Sequence, residues 1–105
     1  MKYLFLLLFF ISSITYAQEF ATASGYIIEE KTGEPIIGAQ FTLLENKKAC
    51  VSNEFGFFSL SSEKGKYTVV IRASGFPNDT LFLDLTSDQE LKIQLNDDVN
   101  VIDEV

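Results

Sequence analysis

Between Thr22 and Leu95 the chain is cut into short runs in which apolar and polar residues alternate, each ended by a turn signal. Tyr67 to Ala73 is the clearest. Tyr67, Val69, Ile71 and Ala73 fall on one face, and Thr68, Val70 and Arg72 on the other. Successive side chains of a strand point to opposite faces, so this pattern half-buries a strand and does not suit a helix. Thr80 to Leu85 repeats it, with Leu81, Leu83 and Leu85 set against Phe82 and Asp84. In the last run Leu91, Ile93 and Leu95 alternate with Lys92, Gln94 and Asn96. Thr22 to Glu30 is apolar on both sides. Ile27 faces in by alternation from Gly25, while Tyr26 and Ile28 face the other way. Such a strand is central in its sheet, or meets a partner. Ala39 to Glu45 (Phe41 and Leu43 inward), Ala49 to Ser52, and Phe57 to Ser61 (Phe58 and Leu60 inward) complete the set. Seven closely spaced strands without a helical segment predict an all-β, seven-stranded antiparallel sandwich. Too little chain separates them for βαβ crossovers.

The turns between these runs carry most of the remaining information. Thr32-Gly33-Glu34-Pro35 is a turn, because Gly tolerates φ > 0 and Pro holds φ near −65°. Gly38-Ala39 leads tightly into a strand. Asn53-Glu54-Phe55-Gly56 is a second turn, and Asn46-Lys47-Lys48 and Ser62 to Lys66 are polar turns. Ser74-Gly75-Phe76-Pro77-Asn78 breaks the fifth strand, Gly75 permitting a sharp bend and Phe76 plugging the core. Thr86 to Glu90 reads as a loop.

Taken together, Gly25, Thr32, Gly33, Pro35, Gly38, Ala39, Asn53, Gly56, Phe58, Gly75 and Phe76 resemble the motif set of the carboxypeptidase-regulatory-like domain. The resemblance spans about residues 21 to 105. It implies a prealbumin- or transthyretin-like sandwich with Greek-key connections. It also implies a setting, since this domain often stands at the N-terminus of SusC-type TonB-dependent outer-membrane transporters of Bacteroidetes. One departure is Ser52-Asn53, where the family usually has Thr-Asp; Asn serves a turn as Asp does.

Ahead of this domain, Lys2 is followed by an unbroken apolar run from Leu4 to Ile11, then by Ser12, Ser13 and Thr15. The run is short for a membrane span. With Ala17 before Gln18 as the cleavage point, residues 1–17 read as a secretory signal peptide, and 18–96 as the mature domain. Without Lys2, seven basic residues face fifteen acidic ones, a net charge of −8. That surface repels phosphate backbones, so nucleic acid is not an expected partner. Cys50, the one cysteine, has no partner for an internal disulfide and is expected to be a small buried hydrophobe.

Catalytic chemistry finds little support. The chain has no His, and its carboxylates are scattered over loops and outward strand positions. No acid-base pair, zinc site or phosphate loop can be assembled from such residues. Asn96 to Asn100 offers oxygens at calcium-loop spacing but lacks the Gly at the sixth position. No enzyme activity and no cofactor are expected. Asn78-Asp79-Thr80 matches a glycosylation sequon, and Asp79-Thr80-Leu81 a bacterial O-glycosylation pattern, but a turn entering a strand accounts for both.

Residues 97–105 are acidic. Val101-Ile102-Asp103-Glu104-Val105 is similar to the segment joining this domain to a transporter plug, where it overlaps the TonB box. The resemblance therefore implies that Ile102, Asp103, Glu104 and Val105 bind a periplasmic energy-transducing protein by strand addition. It further implies the plug and barrel as partners. Tyr26, Ile28, Phe57 and Phe82 face outward and form a docking face if they are contiguous. The alternative is a free-standing exported module that binds carbohydrate through exposed aromatics such as Tyr26 and Phe57.

Overall fold

The computed structural model describes residues 19–97, and over these the chain forms two packed sheets. The strands are β1 (Phe20–Glu29), β2 (Gln40–Leu43), β3 (Ala49–Val51), β4 (Phe57–Glu63), β5 (Gly65–Arg72), β6 (Asp79–Leu85) and β7 (Gln89–Leu95). One sheet has the order β4-β1-β7 and the other β3-β2-β5-β6. β1 is central in its sheet, one of the two settings its sequence allowed, yet its outer face is not covered, since Tyr26 there remains exposed. The expected sandwich of seven strands is present.

One ladder differs from the antiparallel expectation. β1 pairs with β4 antiparallel but with β7 parallel, in register from Ala23 opposite Gln89 to Glu29 opposite Leu95. The reason is topological. Consecutive strands reverse direction, whether the chain makes a hairpin or crosses between sheets. β1 and β7, both odd-numbered, therefore run the same way when laid side by side. The parallel ladder also explains Gly25: a Cβ there would lie 1.8 Å from the carbonyl oxygen of Leu91. Only glycine lets β7 approach so closely.

The core lies between the sheets. Phe41 of β2 stacks on Phe58 of β4, with ring centroids 4.5 Å apart and planes at 23°. Around them Ile27, Leu43, Val69, Ile71 and Leu85 are fully buried. Phe76 is half-buried and packs against this cluster, as does Cys50. Burial pushes the Cys50 thiol pKa up, against a smaller lowering by the backbone of Ser59. Ile36, on the β1–β2 loop and not anticipated in the core, is buried where its N–H donates to the Ile27 carbonyl.

Two turn expectations are corrected. Ser62 to Lys66 is not a loop, because β4 runs to Glu63 and β5 begins at Gly65. The corner is sharp because side chains tie it. Asn46 Nδ2 donates to the buried Ser62 Oγ (2.7 Å), which lies 3.2 Å from the Tyr67 hydroxyl, and Tyr67 donates to the Glu63 carbonyl (2.5 Å). At the other boundary, Gln89 and Glu90 belong to β7, because pairing with β1 extends the strand backwards.

Candidate binding site

The residues of the family motif build one end of the sandwich. Gly25 and Phe58 lie in strands, and the others gather where β1 hands over to β2, β3 to β4 and β5 to β6. Thr32 Oγ1 accepts from the Glu34 N–H and donates to Glu29 Oε1, while the Gly33 N–H donates to the Glu29 carbonyl. Pro35 bridges to Ile28. Gly38 and Ala39 are fastened to Ser52: the Gly38 N–H reaches its carbonyl, and the Ala39 N–H its buried hydroxyl (2.9 Å). That hydroxyl in turn donates to the Ile36 carbonyl (2.6 Å). Asn53 Oδ1 accepts from the N–H groups of Phe55 and Phe57, as an Asp carboxylate would. Gly56, at φ 76°, places its would-be Cβ 2.6 Å from the Ile27 carbonyl oxygen. Gly75 and Phe76 close the β5–β6 turn, Phe76 donating to the Ala73 carbonyl. These residues build turns. Ala17, Gln18, Ile102, Asp103, Glu104 and Val105 lie outside the described residues, as do residues 98–105 of the acidic tail.

The four outward apolar residues do not form one face. Tyr26 and Phe57 are register partners on the outer face of the β4-β1-β7 sheet, their rings 5.4 Å apart at 64°. Ile28 is on the same face and half-buried beside Pro35. Phe82 stands on β6 of the other sheet. A shallow concavity of about 300 Å³ adjoins Tyr26, bounded by Glu90 and Lys92 of β7.

The larger concavity, about 360 Å³, surrounds Phe82. Its construction follows from strand alternation. Tyr67, Val69, Leu83 and Leu85 point inward, so Lys66, Thr68, Phe82 and Asp84 point out. Antiparallel pairing of β5 with β6 sets Thr68 opposite Phe82 and Lys66 opposite Asp84. β2 ends at Leu43, although the Leu44 N–H still donates to the Thr68 carbonyl. Glu45 then turns back, and its carboxylate accepts the Thr68 N–H at 2.8 and 3.0 Å, where a longer β2 would have supplied a carbonyl. This hydrogen bond from Thr68 lowers the Glu45 pKa from its ordinary value. Asp84 Oδ1 accepts from the Thr86 N–H at 3.3 Å. Lys66 has no ion-pair partner among the described residues. Phe82 is 85% exposed, the most exposed of the large apolar residues described.

Sequence reading marked Phe82 as an outward aromatic but did not bring Glu45, Lys66 or Asp84 to it. The cross-strand register that does so depends on pairings set elsewhere in the fold.

This geometry is suited to holding a ligand by stacking and hydrogen bonding. Among the described residues, no group of three His, Cys, Asp or Glu side chains could hold a metal ion. The fold and site thus define a small β-sandwich with ring-bearing concavities on its outer sheet faces. Residues 23–105 match the CarboxypepD_reg-like domain family, and the chain belongs to it.

Bacillopeptidase F of Bacillus subtilis is 30% identical over 69 residues, which is 64% of this chain but 5% of that protein. Among solved structures, a type II cohesin-X-dockerin complex of Acetivibrio cellulolyticus contains a chain similar at 26% identity, with a TM-score of 0.62. The match covers 71% of this chain and 56% of that one. A DUF3823 family protein of Bacteroides ovatus is similar in fold, at 20% identity and a TM-score of 0.61, with 73% and 44% covered. The chain therefore spans about half the length of these structures and a small part of the curated relative.

Proposed function

We propose that the chain is the exported, non-catalytic N-terminal accessory domain of a TonB-dependent outer-membrane nutrient transporter, acting in the periplasm ahead of the plug. The observation that carries this reading is the family motif set, which runs from Gly25 to Phe76 and precedes the TonB-box-like Ile102-Asp103-Glu104-Val105. The apolar run of Leu4 to Ile11 before Ala17 supports export. The motif residues support it by building the end of the sandwich at which β7 finishes, with Leu95 opposite Glu29 and its carbonyl accepting the Glu30 N–H. In this role the domain modulates energised uptake through contacts with the plug or with the periplasmic energy-transducing protein. The test is a blot of outer-membrane and periplasmic fractions with an antibody to this domain. A band far larger than 11.8 kDa in the outer membrane is the expected result. A small soluble periplasmic band overturns the transporter reading.

A second reading is a free-standing exported module that binds carbohydrate. Its support is the placing of Tyr26 and Phe82, each beside a concavity with charged groups at its rim. Oligosaccharide binding by the isolated chain, found together with the small soluble band, favours it over the first.

A further inference from the structure

We infer that the groove around Phe82 is a binding site for a neutral sugar ring, which stacks on Phe82 and hydrogen-bonds to Glu45, Asp84 and Lys66. The inference rests on the carbohydrate reading above and assigns it to one face of the molecule.

A single exposed aromatic side chain is ordinary on a protein surface. Phe82 differs in what surrounds it. The ring stands on a strand paired with β5 along seven positions, so its backbone is held by a ladder. Glu45 is held beside it by two contacts to the Thr68 N–H. Asp84 is steadied by the Thr86 N–H and lies across from Lys66. An aromatic face and three charged side chains thus line one concavity of about 360 Å³. That volume is at the small end of ligand sites and suits one or two sugar rings.

The charges select the class of ligand. A polyanion is repelled by Glu45 and Asp84, and a polycation, though drawn to those two carboxylates, sets like charge against Lys66. A purely apolar segment strips water from three charged groups and returns no hydrogen bonds, which is costly. A neutral polyol avoids all three problems. Its hydroxyls donate to the carboxylates and accept from the ammonium, and the C–H face of its ring covers Phe82. The Glu45 carboxylate uses its lone pairs toward Thr68 only in part, since a carboxylate has about four acceptor positions. The groove is open, so affinity is weak, with a Kd on the order of 1 mM for a short oligosaccharide.

The Tyr26 concavity is the weaker candidate. Phe57 packs edge-on against the Tyr26 ring and takes part of its surface. Its rim carries one carboxylate and one ammonium, from Glu90 and Lys92.

The test is an amide chemical-shift titration of the whole exported chain with cellohexaose, maltohexaose and mannohexaose in turn. The expected result is saturable shifts at Thr68, Phe82 and Asp84 with at least one of the three. Phe82→Ala should then weaken binding about tenfold or more, the loss of one stacking contact. Tyr26→Ala should leave affinity within about twofold. Because Phe82 is so exposed, its truncation leaves the core untouched, and an unchanged spectrum elsewhere verifies the fold. Shifts confined to Tyr26 and Lys92, abolished by Tyr26→Ala and unaffected by Phe82→Ala, overturn the Phe82 site and leave the carbohydrate reading standing. The absence of shifts with all three oligosaccharides overturns both.

Discussion

The two ends of the sandwich are closed by different means. At one end, where residues 30–39, 52–56 and 73–78 cross between or within the sheets, the fastening is largely backbone to backbone. The Ile27 N–H donates to the Gly56 carbonyl, Glu29 to Glu34, Ile36 to Ile27 and Gly38 to Ser52. Glycines at positive φ allow these approaches. At the other end, side chains do most of the tying. Asn46, Ser62 and Tyr67 hold the β4–β5 corner, Glu45 caps Thr68, and Asp88 Oδ1 accepts the Thr22 N–H. Lys48 sits 4.9 Å from the centroid of the Phe20 ring, and Lys64 pairs with Glu19. The difference has a functional side. A backbone-locked end leaves Ile37 and Phe55 exposed, but it requires Gly56, whose Cβ would press on the Ile27 carbonyl. A side-chain-locked end presents charged groups to solvent, Glu45 held by the Thr68 N–H among them, and it is there that Glu45, Lys66 and Asp84 surround Phe82.

The contrast can be broken at four points. Gly56→Ala has the largest expected effect. It combines an unfavourable positive φ with a Cβ pressed against the Ile27 carbonyl, and should cost about 2–4 kcal/mol. For a domain of this size that is a fall in melting temperature of roughly 10 °C or more. A fall of under about 2 °C would mean that the end is not locked through Gly56. Ser52→Ala comes next, at about 1–3 kcal/mol, because the Ile36 carbonyl and Ala39 N–H lose their partner in a buried place. Ser52→Thr keeps the hydroxyl and should recover most of that in a denaturant melt.

At the opposite end, Ser62→Ala removes the middle of the Asn46–Tyr67 connection and should cost about 1–2 kcal/mol. Glu45→Gln has the smallest effect and is visible mainly through pH. The folded pKa of Glu45 lies below that of the unfolded chain. Its contribution is therefore complete above the unfolded pKa, near 4.3, and is lost as pH falls through the folded value. The native chain should lose slightly more stability than Glu45→Gln on acidification through that window. Identical acid profiles would remove the carboxylate from the account of this end.

Much of the fold was legible because alternation is a local signal. The strict pattern of Tyr67 to Ala73 placed Tyr67, Val69 and Ile71 inside, and the two-sided apolar character of Thr22 to Glu30 allowed a central strand or a strand that meets a partner. Turns with Gly, Pro and Asn were legible for the same reason. Ser62 to Lys66 was not, since polar residues that resemble a loop are here satisfied inside a corner by Asn46 and Tyr67. Nor was the role of Ser52, whose hydroxyl bonds reach back sixteen residues to Ile36.

The sequence by itself determined that this chain would form seven short strands, most of them with one inward apolar face, because side-chain period and turn chemistry act within a few residues. Its acidic balance and lack of His were likewise readable without any fold. Only the tertiary structure decided that β7 lies parallel to β1, that Tyr26 and Phe82 stand on different sheets, and that Glu45 closes a groove with Lys66, Phe82 and Asp84. Those facts depend on which strands become neighbours. That choice is made by burying all the inward faces at once, a property of the whole chain that no single segment carries.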